Sequence, residues 1–402
     1  MNKPTLFGYG LTTKAIAKKL GGGCSFYDDK CTATYTDENN NTIKPSHLFN
    51  PDESRLEVTT PSLPPKHPLI QKAKNLLSEY DYFAKEMPFS IWISGTNGKT
   101  TTTQMLTHLL EKRGAVSGGN IGTPLAELDT NAPIWVLESS SFALHHTRFA
   151  SPNIYLLLPI TPDHLDWHGT VEKYATDKLR PLLTMKEGEL ALIPKGLNVP
   201  KTDAFVVEYD SDAFVSDYFN LDASKLHYKG AFLQDALLSL AITKVLFDET
   251  DYDLLNNFKR DAHRQEEFYD AQHRLWVNDS KATNLDATLQ AVKGYADKHI
   301  HLILGGDDKG VDLAPLFEEM KILNLTLYTI GKNSEKLLAL SRTYKIDVVA
   351  SQTIDIAVKN ISLVLDSKSV ALLSPAAASF DQFKSYKYRG ETFMEFVKNL
   401  EK

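Results

Sequence analysis

The stretch SIWISGTNGKTTTT, residues 90–103, decides the fold of this chain. An apolar run leads into a loop with two glycines, and a lysine and four threonines open a helical segment. Glycines let the backbone turn its N–H groups towards phosphate oxygens, and the helix N-terminus adds its dipole. The sequence therefore predicts a phosphate-binding loop between a strand and a helix. A polar turn before an ordinary helix is the alternative, and the coincidence of strand, glycines, lysine and threonine disfavours it.

Two side chains of this loop suit nucleotide chemistry. Lys99 supplies a positive charge for the β- and γ-phosphates, and the hydroxyl of Thr100 is placed to ligate Mg²⁺. The general pattern has a glycine five residues before Gly98, where this chain has Ile93. We therefore interpret the loop as a shortened variant of the phosphate-binding pattern.

Length and composition indicate a globular protein of two or three domains. The chain has 402 residues, of which 42% are hydrophobic, and its formal net charge is -7. This charge and the lack of a long basic run disfavour nucleic-acid binding. The two cysteines are too few for a disulfide scaffold, and we find no signal peptide and no apolar run long enough to cross a bilayer. We therefore expect a cytoplasmic protein with no membrane partner.

Alternating strand-like and helical segments predict an α/β fold with parallel, doubly wound sheets. We place domain boundaries near residues 88 and 262, where Met87-Pro88 and the change to a more regular pattern interrupt the chain. The predicted domains are a small Rossmann-like domain over 1–88, a central phosphate-loop ATP-binding domain over 89–262, and a doubly wound domain over 263–402.

Further polar residues follow the apolar runs, where parallel sheets bind their ligands. Glu138 ends the run in WVLESSSF and suits Mg²⁺, although alone it could equally cap a helix. His164 in TPDHLDWHG could be a ligand or a satisfied polar group, with Asp163, Asp166 and His168 as competitors. Lys178 on the next helix would by default be a solvated charge.

The last zone repeats this arrangement at three strand ends. Its polar segments are NDSKATN (278–284), GGDDKG (305–310) and SPAAASFDQFKSYKYRG (374–390). Hydroxyls and cations at three strand ends indicate an anionic ligand. By contrast, Gly8-Tyr9-Gly10 with Asp28 downstream is only a weak dinucleotide pattern, because Thr13 replaces its third glycine. We expect the pair His145-His146 to be structural.

These motifs and their order along the chain resemble those of the Mur ligases, the ATP-dependent amino-acid ligases of peptidoglycan precursor synthesis. The matching segments are GTNGKTTT, GGNIGTP, LESSSF, DHLD, YATDKLR, AHR, NDSKATN, GGDDKG and SPAAASFDQF. The last three are most similar to the members that add D-glutamate. The resemblance implies three domains, two Mg²⁺ sites, ATP as cosubstrate, and UDP-N-acetylmuramoyl-L-alanine and D-glutamate as substrates of a monomer.

The resemblance also implies roles for single residues. Lys99, His164 and Lys178 are the implied catalytic residues, with Lys178 carbamylated by CO₂. The implied ATP contacts are Gly95, Thr96, Asn97, Gly98, Lys99, Thr100, Thr101, Arg264 and Asp279. The implied metal ligands are Thr100, Glu138, His164 and the carbamylated Lys178. The implied substrate contacts are Leu11, Thr12, Asp28, Asp29, Asn120, Lys281, Thr283, Lys309, Ser379, Ser385 and Tyr386.

One segment departs from the family pattern, and two other functions stay open. The usual HN-x-x-N-A run of the adenine site is replaced by GAFLQDALL (230–238), in which only the helix and Asp235 match. A folylpolyglutamate synthase would share the phosphate loop and the lysine region, but the NDSKATN and SPAAASFDQF segments argue against it. A dinucleotide-dependent dehydrogenase would use the weak GxG pattern, and the stronger phosphate loop argues against it.

Overall fold

The structure is a computed structural model that describes residues 3–120 and 122–400. It divides into two compact units. The first comprises Met1–His227 and Asp235–Asn257, and the second comprises Tyr228–Gln234 and Phe258–Lys402. Each sheet described below lies within one unit. The predicted α/β class is confirmed, whereas the domain boundaries at residues 88 and 262 stay predictions.

The first sheet has six strands in the order β3-β4-β2-β1-β5-β6, and only β3 pairs antiparallel. Its elements are β1 (Thr5–Phe7), α1 (Leu11–Lys19), β2 (Ser25–Asp28), β3 (Tyr35–Thr36), β4 (Thr42–Pro45), β5 (Glu57–Thr59), α2 (Pro68–Lys72), β6 (Leu76–Leu77) and α3 (Glu79–Phe83). The pattern around 70–85 predicts one helix, and this prediction is wrong. The chain extends at Ala73, forms β6, and starts a second short helix where Ser78 caps the N–H of Asp81.

The second sheet belongs to the same unit and is entirely parallel, in the order β12-β11-β10-β7-β9-β8. Its strands are β7 (Phe89–Ser94), β8 (Ala115–Gly119), β9 (Ile134–Glu138), β10 (Ile154–Leu157), β11 (Leu190–Pro194) and β12 (Phe205–Tyr209). Its helices are α4 (Lys99–Leu110), α5 (Ser141–His146), α6 (Leu165–His168), α7 (Val171–Leu179), α8 (Asp212–Phe219), α9 (Ala231–Phe247) and α10 (Tyr252–Asn256).

The central strands of this sheet, β7, β9 and β10, are buried on both faces. In β7, Ile91, Trp92 and Ile93 are inaccessible to solvent, as expected for a central parallel strand. Because β7 lies between β9 and β10, the segments that follow these three strands meet at one edge of the sheet. The sequence pattern predicts one helix over about 171–185, but α7 ends at Leu179 and a 3₁₀ turn follows at Pro181.

The third sheet lies in the second unit, in the order β13-β14-β18-β15-β16-β17. Its strands are β13 (Glu266–Tyr269), β14 (Leu275–Asn278), β15 (His299–Gly305), β16 (Leu325–Ile330), β17 (Asp347–Gln352) and β18 (Ser369–Leu373). Its helices are α11 (Leu285–Gly294), α12 (Ala314–Met320), α13 (Ser334–Tyr344), α14 (Ile354–Ser362) and α15 (Tyr386–Asn399). The sequence pattern does not predict the antiparallel edge strand β13, and α15 begins four residues before the predicted residue 390 because Ser385 caps it.

Helix length and hydropathy together determine whether a helix can cross a bilayer. Over residues 3–120 and 122–400, none of the helices combines the length and the apolar character that such a crossing demands.

Burial of His146 should make the stability of the first unit depend on pH. Its Nε2 lies 3.0 Å from the carbonyl oxygen of Leu63, and burial lowers the pKa of His146 to about 4. In the unfolded chain His146 binds a proton near pH 6.5, whereas in the folded chain it stays neutral down to about pH 4. The free energy of unfolding therefore falls as the pH drops from 6.5 towards 4. We expect wild type to lose about 1 kcal/mol more than His146→Gln between pH 7 and 5.5, measured by urea unfolding. An equal pH dependence in both proteins would contradict this.

Candidate active site

The phosphate loop connects β7 to α4 through two glycines with positive φ. Gly95 has φ 142° and Gly98 has φ 81°. A Cβ atom on Gly95 would lie 2.5 Å from Cβ of Leu158, and one on Gly98 would lie 2.7 Å from a carboxylate oxygen of Asp235. Glycine is therefore required here both by backbone conformation and by close packing. The first turn of α4, which Gly98 precedes, contains no acidic residue, so its N–H groups suit an anion.

Two lysines converge on one carbonyl oxygen of this loop. Nζ of Lys99 donates to the carbonyl oxygens of Gly95 at 3.0 Å and Thr96 at 2.7 Å. Nζ of Lys178, on α7, donates to the same Gly95 oxygen at 2.7 Å. The default expectation for Lys178 is a solvated charge, but its side chain is fully buried. The structure thus brings together two of the three predicted catalytic residues.

The surroundings of Lys178 favour a neutral amine. Burial is the main cause that lowers its pKa well below the ordinary value, and the charge of Lys99 lowers it further. The ring of Tyr174 lies 4.7 Å from Nζ, and Oγ of Ser94 lies 3.3 Å from it. A neutral amine in this position is a nucleophile, which an ammonium group is not.

Glu138 and Asn120 form a second pair at the same edge of the sheet. Nδ2 of Asn120 donates to Oε1 of Glu138 at 2.6 Å, and its backbone N–H donates to the Glu138 carbonyl at 2.8 Å. Glu138 is only 2% exposed, yet its Oε2 has no hydrogen-bond donor among the described residues. A buried carboxylate oxygen without a donor is suited to a cation.

His164 begins α6 in the left-handed conformation, with φ 52°. Its ring lies 4.8 Å from that of Phe142, and its Nε2 lies 3.6 Å from the carboxylate of Asp163. Burial lowers the pKa of His164, which favours the neutral imidazole that a metal ligand or a base requires. Among the described residues, no three His, Cys, Asp or Glu side chains converge as a metal cluster. A divalent cation here would therefore need other ligands, such as hydroxyl groups or a modified lysine.

A buried hydrogen-bond network beside Lys178 is not predicted by the sequence. The carboxylate of Asp177 accepts from His145 at 2.9 Å and from His168 at 2.8 Å, and Nε2 of His168 lies 2.9 Å from Oγ of Ser141. It joins α5, the end of α6 and α7. The sequence presents His168 only as a competing ligand, and the position of Asp177 directly before Lys178 is the one signal available.

A cavity of about 380 Å³ beside the first sheet is lined by two of the predicted substrate residues, whereas Leu11 and Thr12 are not among its lining residues. Asp28 and Asp29 line it, together with Gly8, Tyr9, Gly10 and Tyr35. The Asp28 carboxylate accepts the N–H groups of Tyr9 at 2.7 Å and Lys30 at 2.8 Å. Asp29 pairs with His67 at 2.8 Å. Leu11 and Thr12 form the first turn of α1, and Leu11 is exposed.

In the second unit, the predicted residues cluster only in part. Nζ of Lys281 lies 4.2 Å from the ring centre of Tyr386, whereas Oγ of Ser385 accepts the N–H of Tyr388 as a helix cap. The loop of Lys309 joins the loop of Ser379 through paired backbone hydrogen bonds between Asp307 and Ala378. Thr283 is exposed.

The two predicted nucleotide contacts of this unit differ in accessibility. Asp279 is buried, and its carboxylate accepts from Oγ of Ser374 at 2.8 Å and from the N–H of Gln265 at 3.2 Å. Burial raises the pKa of Asp279 to about 7. Arg264 is half-buried, and its Nε lies 4.0 Å from the carboxylate of Asp261.

A strand, a phosphate loop, a buried carboxylate with no donor to its Oε2 among the described residues, and a buried lysine follow one another along the chain, as is typical of a nucleotide-dependent enzyme. Comparison with known proteins agrees. Residues 93–218 match the Mur ligase middle domain. The chain belongs to the Mur ligase family. It is 50% identical to a UDP-N-acetylmuramoylalanine--D-glutamate ligase of Campylobacter jejuni subsp. jejuni (strain 81-176), over 99% of this chain and 100% of that protein. The protein of that name from Helicobacter pylori (strain J99) is 46% identical, over 98% and 99% of the two chains.

Solved structures support the fold. MurF ligase from Thermotoga maritima, in complex with ADP, aligns with a TM-score of 0.60 and 16% identity, over 100% of this chain and 99% of that chain. The UDP-N-acetylmuramate-alanine ligase MurC of the same organism aligns with a TM-score of 0.57 and 15% identity, over 98% of each chain.

Close packing at Gly98 predicts a large effect of adding one methyl group. Gly188→Ala is the matched control, since Gly188 has a similar φ of 86° but a Cβ atom on it would meet nothing within 4 Å among the described residues. We expect about 1 kcal/mol of destabilisation in Gly188→Ala from backbone strain alone, and at least about 2 kcal/mol in Gly98→Ala from strain plus overpacking. Chemical denaturation measures both values. Equal losses would show that the contact with Asp235 is not tight.

Proposed function

We propose that this protein is an ATP-dependent ligase that joins D-glutamate to UDP-N-acetylmuramoyl-L-alanine during peptidoglycan precursor synthesis. The observation that carries the proposal is the 50% identity to ligases of that name over the full length of the chain. The phosphate loop, with Lys99 and Lys178 at the Gly95 carbonyl, supports the use of ATP.

The chemistry follows from making an amide from a carboxylate. A carboxylate is a poor electrophile, so its oxygen first attacks the γ-phosphorus of ATP, giving an acyl phosphate and ADP. The neutral amine of D-glutamate then attacks the acyl carbon, and the tetrahedral intermediate expels phosphate. Positioning and neutralisation of phosphoryl charge provide most of the acceleration in phosphoryl transfer. We assign ATP phosphate binding to the backbone of Gly95–Thr101 and charge neutralisation to Lys99.

Two Mg²⁺ ions would supply Lewis-acid stabilisation of phosphoryl charge when bound. The residues present fit this role, because Oε2 of Glu138 is buried without a donor among the described residues. We assign Thr100 and Glu138 to one ion, and His164 with a carbamylated Lys178 to the other. His164 competes for a second role as the base that keeps the D-glutamate amine neutral.

The environment of Lys178 supports the proposed carbamylation. A neutral amine attacks CO₂ and loses a proton, which gives a carbamate with one negative charge. The lowered pKa of Lys178 favours the neutral form that this reaction requires. A lysine cation would repel Mg²⁺, whereas the carbamate attracts it.

The substrate residues are assigned by the same similarity. Leu11, Thr12, Asp28, Asp29 and Asn120 are proposed for the nucleotide sugar, and the cavity lined by Asp28 and Asp29 supports that choice. The proposed contacts of the amino acid are Lys281, Thr283, Lys309, Ser379, Ser385 and Tyr386. Arg264 and Asp279 are proposed for the nucleotide.

The three sheets support the assignment of a different ligand to each of three parts of the chain. We assign UDP binding to 1–88, ATP binding to 89–262 and amino-acid binding to 263–402. We further propose that the protein acts as a monomer in the cytoplasm.

Phosphate release from ATP tests the function directly. The purified protein is incubated with ATP, Mg²⁺ and UDP-N-acetylmuramoyl-L-alanine, and D-Glu, L-Glu, L-Ala and L-Lys are tested separately. We expect release with D-Glu alone. Release with another amino acid would indicate a ligase that catalyses a different step. No release with any amino acid would favour the folylpolyglutamate synthase or the dehydrogenase alternative.

The carbamate predicts a chemical rescue. We expect Lys178→Ala to lose roughly 10- to 100-fold of the activity, because a metal ligand is removed, and formate or acetate with Mg²⁺ to restore part of it. Lys173→Ala is the control, since Lys173 is an exposed lysine on the same helix. Phosphate release with D-Glu is the measurement. Little loss without rescue would argue against the carbamate.

A further inference from the structure

Helix α3 links the first sheet to the active-site edge of the second, although it has only five residues. Glu79, Tyr80, Asp81 and Phe83 are all buried. Three polar side chains in succession are rarely buried unless each has a partner. In this helix, Tyr80 contacts the end of β9 and Asp81 contacts the segment between α5 and β10.

Asp81 and Glu79 are the buried acidic residues on either side of Tyr80 in α3. The carboxylate of Asp81 accepts the backbone N–H groups of residues 148, 149 and 150 at 2.9–3.0 Å. Burial raises the pKa of Glu79 to about 7, against the lowering effect of the backbone of Ala126 and Leu125, and its Oε1 has no hydrogen-bond partner among the described residues. The bonds of Asp81 hold the middle of α3 against the segment that leads into β10.

Tyr80, between them, contacts the carbonyl of the proposed metal ligand. Its hydroxyl donates to the backbone oxygen of Glu138 at 3.2 Å and lies 3.0 Å from Oγ of Ser139. The neighbouring Gly119 approaches so closely that a Cβ there would lie 2.4 Å from the same carbonyl oxygen and 3.1 Å from the Tyr80 hydroxyl. Tyr80 is only 2% exposed, so its hydroxyl depends on these two protein partners rather than on solvent.

The Glu138 carbonyl thus receives two donors, the Tyr80 hydroxyl and the Asn120 N–H. The side chain of Asn120 occupies Oε1 of the carboxylate and leaves Oε2 without a donor among the described residues. Backbone and side chain of Glu138 are therefore held at three points. A carboxylate held in this way needs little ordering when it binds a cation.

We propose that Tyr80 is a positioning residue that holds Glu138 in the orientation required for binding a divalent cation. This inference rests on the proposed metal role of Glu138. It assigns to a residue of α3, outside the phosphate-loop motifs, a part in building the metal site. Tyr80 does not touch the reacting atoms itself.

A purely structural role for Tyr80 makes a different prediction. Its ring packs edge-on against Trp92, with the centroids 4.6 Å apart, and phenylalanine would keep this packing. If packing were all that mattered, Tyr80→Phe would leave cation binding unchanged. Tyr82→Phe is the matched control. It removes a hydroxyl from the same helix, and the hydroxyl of Tyr82 has no recorded contact with Glu138.

The experiment uses the full chain and Mn²⁺ as the probe. Free Mn²⁺ is followed by its electron paramagnetic resonance signal at a fixed ADP concentration, with wild type, Tyr80→Phe, Tyr82→Phe and Glu138→Gln. We expect Tyr80→Phe to raise the apparent Kd for Mn²⁺ about fivefold, as for the loss of one buried hydrogen bond, and Tyr82→Phe to change it less than twofold. Circular dichroism establishes that all four proteins are folded.

The outcomes separate this inference from the proposed function. Equal Kd values for Tyr80→Phe and Tyr82→Phe, with weakened binding in Glu138→Gln, would overturn the positioning role and keep the metal site. Equal Kd values for wild type and Glu138→Gln would remove the metal role of Glu138 and the inference with it. Phosphate release by the wild type with D-Glu is measured in the same preparations and reports on the function alone.

Discussion

The carbonyl oxygen of Gly95 is the point at which the phosphate loop and helix α7 meet. Lys99 and Lys178 both donate to it, from the start of α4 and the end of α7. Two ammonium groups at one oxygen would repel each other, and burial makes charge on Lys178 costly. Burial and the neighbouring charge of Lys99 therefore favour the neutral amine of Lys178 beside the phosphate loop.

Parallel strand order explains why these groups meet. Strand β7 carries the phosphate loop and lies between β9, which ends at Glu138, and β10, which leads towards His164. All three strands point the same way, so their carboxyl ends place the loop, the carboxylate and the imidazole at one edge of the sheet. The closeness of Gly95 to Leu158, just after β10, shows how tightly these ends pack.

Local motifs were predictable because their signals lie within a few residues. The loop over 95–101, Glu138 at the end of β9 and the parallel strands could all be predicted from periodicity and residue type. The break between α2 and α3 could not, since short capped helices resemble one longer helix in sequence. The hydrogen bonds of Asp177 with His145 and His168 could not be predicted either, because both histidines lie on other helices.

The sequence by itself determined the α/β class, the phosphate loop and the family, because glycines, apolar runs and motif order act through local backbone geometry. Only the tertiary structure decided that Lys178 is buried against Gly95 and that one oxygen of Glu138 is left without a donor among the described residues. It also decided that Tyr80 reaches the Glu138 carbonyl across 58 positions of the chain. Burial and hydrogen-bond partners depend on which segments pack together, and that is a property of the folded chain rather than of any one motif.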